Sequence, residues 1–212
     1  MRWAMIVVVE GISAAGKTTF SRKVAPEQCI PEFEPENPLP GPDNPIHDHA
    51  AFWVEHNVRR FTAAMEMEQR HGFALCDTDP FKCHFDWCRA RAGFTTMDLF
   101  KCAVPMIKTA MADRRLGFAD RYLVKHIAPD IARAQKEGDE TRSRRRFGMH
   151  LALQPHLIDW YRALSPLLPG RVEFEWPEVE RLQRDLQTKT PEDDPRRFDV
   201  GVFEALLERL PD

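Results

Sequence analysis

The sequence predicts an α/β domain built on a parallel five-stranded sheet with helices on both faces. Three observations predict it. Short apolar runs alternate with stretches of helical length, so successive strands are joined by helical crossovers, which makes them parallel. The first run, Met5–Val9, is apolar at every position, as a strand buried on both faces requires. Directly after it, Gly11, Gly16, Lys17 and Thr18 stand in the spacing G-x-x-x-x-G-K-T, where the glycines let the backbone curl around an anion. That spacing narrows the class to the P-loop NTPase fold. A chain of 212 residues suffices for one such domain with a proper core, and the domain is expected to span residues 1–212.

Taking the elements in order, Thr18–Val24 reads as the helix behind the loop, stopped by Pro26. Cys29–Phe33 is a weak second strand. Pro26, Pro31, Pro35, Pro38, Pro40, Pro42 and Pro45 then exclude any regular element, and the Pro-rich loop is set at about 34–46. His47–Arg70 is a long helix closed by Gly72. Gly72–Asp77 is the second strong strand and finishes on a carboxylate. Asp79-Pro80 reads as the cap of a helix over Phe81–Ala90, and Thr95–Leu116 as the next helix. Tyr122–Ile127 is a strand, Pro129–Glu137 a helix, and Met149–Leu164 another helix with Pro155 inside it or at its start. Val172–Trp176 is the last strand. Val179–Leu186 and Val200–Leu210 close the chain as helices, with a polar loop at 187–198.

Composition limits the partners. A net charge of -3 gives no global attraction to nucleic acid or to an acidic membrane. The N-terminal apolar run is too short to span a bilayer, and no cleavage region follows it. Neither nucleic acid nor membrane is therefore expected as a partner. Five cysteines, an odd number without C-x-x-C spacing, fit reduced thiols and a cytoplasmic location. Cys83, His84 and Cys88 fall on an amphipathic stretch and read as helix rather than metal ligands.

The chemistry concentrates at the carboxyl ends of the strands, where ligands of parallel sheets bind. The backbone of Gly11, Ile12, Ser13, Ala14, Ala15, Gly16, Lys17, Thr18 and Thr19 is expected to cradle the phosphates of ATP. Lys17 would reach the β- and γ-phosphates, and the Thr18 hydroxyl would hold Mg²⁺. Glu10, Glu34, Asp77 and Asp79 are the acids near that rim. Asp77 is expected to support the metal or act as the catalytic acid. Glu34 or Asp79 would position the acceptor, although Asp79 reads equally well as a helix cap. Arg142, Arg144, Arg145 and Arg146 form a basic run in a segment at about 138–148. That segment is expected to close as a lid over the phosphates, with Arg142 and Arg146 named as its charge-neutralising residues. On the long helix, Phe52 and Phe61 read as core, while Trp53, His56 and Arg60 are candidates to face a planar or anionic acceptor.

The stretch Glu10-Gly11-Ile12-Ser13-Ala14-Ala15-Gly16-Lys17-Thr18-Thr19 resembles the opening of thymidylate kinases and deoxynucleoside kinases. Glu34-Pro35 is similar to their Glu-Pro motif, and the resemblance implies a general-base role for Glu34. The helix around Phe52–Arg60 followed by Gly72–Asp77 is similar to the thymidylate kinase arrangement. The arginines at 142–146 lie where that group has its lid. The outline covers roughly residues 4–176. One departure stands out: Asp77 is followed by Thr78 and not by the arginine with which these enzymes grip substrate. Asp120-Arg121-Tyr122 mimics the motif but precedes a strand.

The expectation is thus an ATP- and Mg²⁺-dependent phosphotransferase acting on a small-molecule substrate, a nucleoside or nucleotide first of all. An antibiotic or other specialised metabolite as acceptor stays open, as does a nucleotide-switched binding protein without phosphotransfer. A homodimer is also left open.

Overall fold

The computed structural model describes residues 5–32, 39–137, 147–188 and 195–211. Its five strands are β1 (Met5–Glu10), β2 (Cys29–Ile30), β3 (Phe73–Asp77), β4 (Arg121–Val124) and β5 (Val172–Glu173). They form one all-parallel sheet in the order β2-β3-β1-β4-β5. β1 is central because each of its residues is buried, so both of its faces can be covered. The pleat sorts them. Ile6 and Val8 enter one apolar cluster with Ala74, Cys76, Tyr122 and Val124. Met5, Val7 and Val9 enter another with Leu75 and Leu123, as a side-chain period of two requires.

The first face is covered mainly by α2 (Ile46–His71), α3 (His84–Arg91), α4 (Asp98–Ala112) and α6 (Phe147–Leu164), with α8 (Val200–Arg209) outside α4. The second is covered by α1 (Lys17–Val24) and α7 (Val179–Thr188), through Val24, Leu182 and Leu186. A further helix, α5 (Pro129–Glu137), follows β4. α2 ends at Gly72, whose φ of 86° permits the left-handed cap that returns its N–H to the Glu68 carbonyl. None of the described helices is long and apolar enough to cross a membrane. The five cysteines are free thiols.

Several boundaries differ from the sequence expectation, each for a physical reason. β2 and β5 are two residues long rather than five, because each pairs on one side only at an edge. β4 stops at Val124, since both main-chain groups of Ile127 bond the Gln154 carboxamide instead of a neighbouring strand. α3 begins at His84 rather than Phe81, after a turn held by Asp79. α6 begins at Phe147, so residues 147 and 148 belong to a helix and not to a lid. Glu34, Pro35 and the arginines at 142–146 lie outside the described residues. At the amino edge of the sheet, Asp120 accepts from the Ile6 N–H and pairs with Arg197, which also grips Glu68. Asp120 and Arg121 therefore work at the edge opposite the candidate site.

Candidate functional site

The loops leaving β1, β2, β3 and β4 at their carboxyl ends line one cleft of about 950 Å³. Its floor is the 11–18 loop. Ala15 donates to the Ile12 carbonyl, and Ala14 and Gly16 take positive φ values of 73° and 89°, which curl the chain between strand and helix. A Cβ on Gly11 would lie 3.1 Å from the Ala15 Cβ and 3.3 Å from the Lys125 carbonyl oxygen, so the close approach of the two strand ends favours glycine there. The loop delivers its chain directly into α1, whose first amides have no acceptor within the helix. Lys17 folds back across the loop, and its Nζ donates to the Gly11 carbonyl at 2.8 Å.

Two strand ends meet over this floor. The Thr18 hydroxyl donates to Asp77 Oδ2 at 2.6 Å, joining the start of α1 to the tip of β3. Asp77 Oδ1 is buried and has no hydrogen-bond partner among the described residues. Burial raises the Asp77 pKa, against the opposing pull of the Thr18 hydrogen bond and Lys17. Glu10 ties the same two loops together from behind. Its carboxylate accepts from the Gly11 N–H at 2.9 Å and from the Asp79 N–H at 3.0 Å. His84 Nε2 stands 3.7 Å from that carboxylate. Burial holds the imidazole pKa down at about 4 despite Glu10, so the ring is neutral and the pair is not an ion pair at neutral pH.

The turn after β3 is held in a conformation that its sequence does not favour. Thr78 has φ 77°, a strained value for a β-branched residue. Arg60, 1% exposed, points its guanidinium at three successive carbonyls, those of Asp77 (3.3 Å), Thr78 (2.9 Å) and Asp79 (3.0 Å). The Thr78 N–H donates back to the Val9 carbonyl at 3.0 Å. The same turn presents the Thr78 hydroxyl to Glu32, donating at 3.2 Å. Glu32 is also ion-paired with Lys82. Burial alone would raise its pKa; Lys82 and Lys17 outweigh that and hold it well below the usual carboxylate range. Because the Glu32 side chain is 45% exposed to the cleft, solvent screens part of that effect.

At the other end of the cleft stand Lys125 and Trp176. The Trp176 indole N–H donates to the Leu123 carbonyl at 3.0 Å, its ring meets Phe20 at 4.9 Å, and Lys125 Nζ lies 4.6 Å from its centroid. No protein-family model matches the chain, and no curated protein matches it. The site's meaning therefore rests on its own geometry.

That geometry sets Gly11–Thr19 along the cleft and bonds Thr18 to Asp77, which is itself buried and not among the described cleft-lining residues. It separates others. Asp79, expected as one candidate to position the acceptor, is fully buried; one carboxylate oxygen accepts from the Phe81 N–H and the other from the Tyr161 hydroxyl. It holds the 79–81 turn rather than a helix N-terminus, since α3 begins at His84 with Cys83 at its N-cap and no side-chain cap bond. Among the described residues, Arg60 donates to the main-chain carbonyls of the 77–79 turn. His56 is buried, with its pKa lowered to about 4 by burial and by Arg60. Trp53 meets Phe52 and His56 edge-on within α2. None of Trp53, His56 and Arg60 is among the described cleft-lining residues.

Glu32, Lys82, Lys125 and Trp176 are cleft residues that sequence reasoning missed. The rule that singles out Asp77, a polar residue at or just past a strand end, also applies to Glu32 after β2 and Lys125 after β4. Magnesium fits the donors present. Thr18 Oγ1 and Asp77 are hard oxygen ligands held side by side, one Asp77 oxygen is unpartnered, and Mg²⁺ needs only one or two protein ligands beside phosphate and water. The absence of a three-residue His, Cys, Asp or Glu cluster among the described residues does not bear on such a site.

Proposed function

We propose that this protein is a P-loop phosphotransferase that moves the γ-phosphoryl group of Mg-ATP to the hydroxyl of a small molecule. The observation that carries the reading is the 2.6 Å bond from Thr18 to Asp77. It joins the loop, whose Lys17 and Thr18 line the cleft, to the buried acid at the tip of the neighbouring strand.

Each residue then has a stated task. The amides at the start of α1 and Lys17 bind the β- and γ-phosphates. Thr18 and Asp77 would hold Mg²⁺, which supplies charge neutralisation on the phosphate oxygens when bound. Glu32 accepts a hydrogen bond from the acceptor hydroxyl and aims its oxygen at phosphorus. The acceptor O–P bond forms as the bond from the γ-phosphorus to the bridging oxygen breaks, leaving ADP. The hydroxyl proton passes to Glu32 and on to water. Lys82 and Lys17 keep Glu32 ionised and weakly basic, which suits a loose transition state in which the proton leaves late. Lys125 and Trp176 border the opposite arm, on the β4 and β5 side, where the nucleoside half of ATP would extend. Arg142 and Arg146 enter only through the sequence expectation of a lid.

The test is acceptor-dependent ADP release by the purified protein with Mg-ATP, across nucleosides, nucleotides and simple alcohols, with Lys17→Ala as control. Transfer to at least one acceptor, abolished in the variant, supports the reading. ATP bound without transfer to any acceptor, together with retention of a partner protein, would support a nucleotide-switched binding protein in its place.

A further inference from the structure

The structure also bears on what receives the phosphate. We propose that the acceptor is an uncharged alcohol carried on an apolar, ring-bearing body, seated between α3 and α6 beyond Glu32. This rests on the phosphotransferase reading of the cleft and specifies its substrate class.

Space comes first. A cleft of about 950 Å³ is at the upper end of what a single drug-sized ligand occupies, so a triphosphate and a second small molecule both fit. Topology separates their places. Lys125 and Trp176 follow β4 and β5 on one side of the 11–18 loop, whereas Glu32, Thr78 and Lys82 follow β2 and β3 on the other. Past Lys82, the cleft runs between α3 and α6, where Phe85, Cys88, Leu153 and Leu157 line it. Cys88, Leu153 and Leu157 are buried, and Phe85 is half-buried. The Phe85 ring lies 6.1 Å from the His150 ring at an interplanar angle of 32°. These walls suit a flat or cyclic apolar group.

Charge argues for a neutral ligand. Among the described residues that line this end, Lys82 is already paired with Glu32. A phosphorylated acceptor that took Lys82 as its counter-ion would have to break that pair, leaving Glu32 exposed to its own negative charge.

The experiment compares three probes on the full chain: 2-naphthalenemethanol, thymidine and thymidine 5′-monophosphate, each by equilibrium dialysis with and without Mg-ATP. The naphthyl alcohol is expected to bind at least tenfold tighter than either nucleoside probe. Phe85→Ala should weaken it at least tenfold and leave Mg-ATP affinity within twofold. In the unaltered protein its ring protons should show NOEs to the Leu153 and Leu157 methyl groups, a readout independent of any variant. Tighter binding of thymidine or its monophosphate, no binding of the naphthyl alcohol, or binding without those NOEs overturns the inference. Failure of the underlying reading looks different: Mg-ATP would then not bind, or would bind Lys17→Ala equally well.

Discussion

Replacing Arg60 by methionine tests how the site is held in shape. The guanidinium donates to three buried carbonyls at 3.0, 3.3 and 2.9 Å. A hydrogen bond from a charged donor contributes about 1.5–3 kcal/mol net, and a buried carbonyl left without a donor costs about 1–3 kcal/mol. Relief from burying a guanidinium offsets part of that loss. The balance gives a destabilisation of about 3–4 kcal/mol for Arg60→Met. For a chain of this size each kcal/mol lowers Tm by about 2–4 °C, so a fall of about 6–16 °C is expected. The local consequence is more specific. Without the clamp, Thr78 leaves its φ of 77°, which costs roughly 1–2 kcal/mol to maintain, and Asp77 moves off Thr18. Mg-ATP affinity should therefore fall at least tenfold alongside stability. Urea unfolding followed by tryptophan fluorescence, with a parallel Mg-ATP titration of the folded variant, measures both. A loss below about 1 kcal/mol, or a full loss of stability with unchanged Mg-ATP affinity, would refute the argument that Arg60 shapes the site through the 77–79 turn.

Asp79→Asn carries a pH signature. Burial and Glu10 raise the Asp79 pKa from 3.8 to about 7, so the folded state binds this proton more tightly and wild-type stability is lost as pH rises through about 7. The asparagine variant should be more stable by about 2–4 kcal/mol near pH 8, a difference that closes towards pH 4; pH-dependent urea denaturation reads it. Glu32→Gln should lower kcat for phosphoryl transfer by roughly 10²-fold, the lower end for a general base because the carboxylate is weakly basic, with little effect on the ATP KM, measured by steady-state ADP release. Gly117→Ala should destabilise by about 2–3 kcal/mol in thermal unfolding, because a Cβ there would lie 2.5 Å from the Arg197 carbonyl oxygen and push Arg197 from Glu68 and Asp120.

The parts of this site that were legible in the sequence are those carried by local pattern. Met5–Val9 is apolar throughout and the loop spacing after it is self-contained, so strand, turn and helix start could all be read within one stretch. Asp77 was legible because it closes an apolar run. The tips of the edge strands were not, since one-sided pairing leaves no apolar continuation to mark where β2 ends, and Glu32 stands just there. Arg60 shows a second limit. Its helix position suggests an open face, yet its hydrogen-bond partners among the described residues are main-chain atoms 17–19 residues further on, and carbonyl groups leave no trace in a sequence. Asp79 was ambiguous for the same reason, because the Tyr161 hydroxyl that decides its role lies 82 residues away.

On the proposed reading, the backbone from residue 11 to 18 wraps a polyphosphate. Calorimetric titration of Mg-ATP into the full chain and into Lys17→Ala measures this most directly. Saturable binding to the unaltered protein is expected, with affinity at least about thirtyfold weaker in the variant, corresponding to about 2 kcal/mol for one lost charge-assisted contact. Equal affinity in the two proteins, or none in the unaltered one, would contradict it.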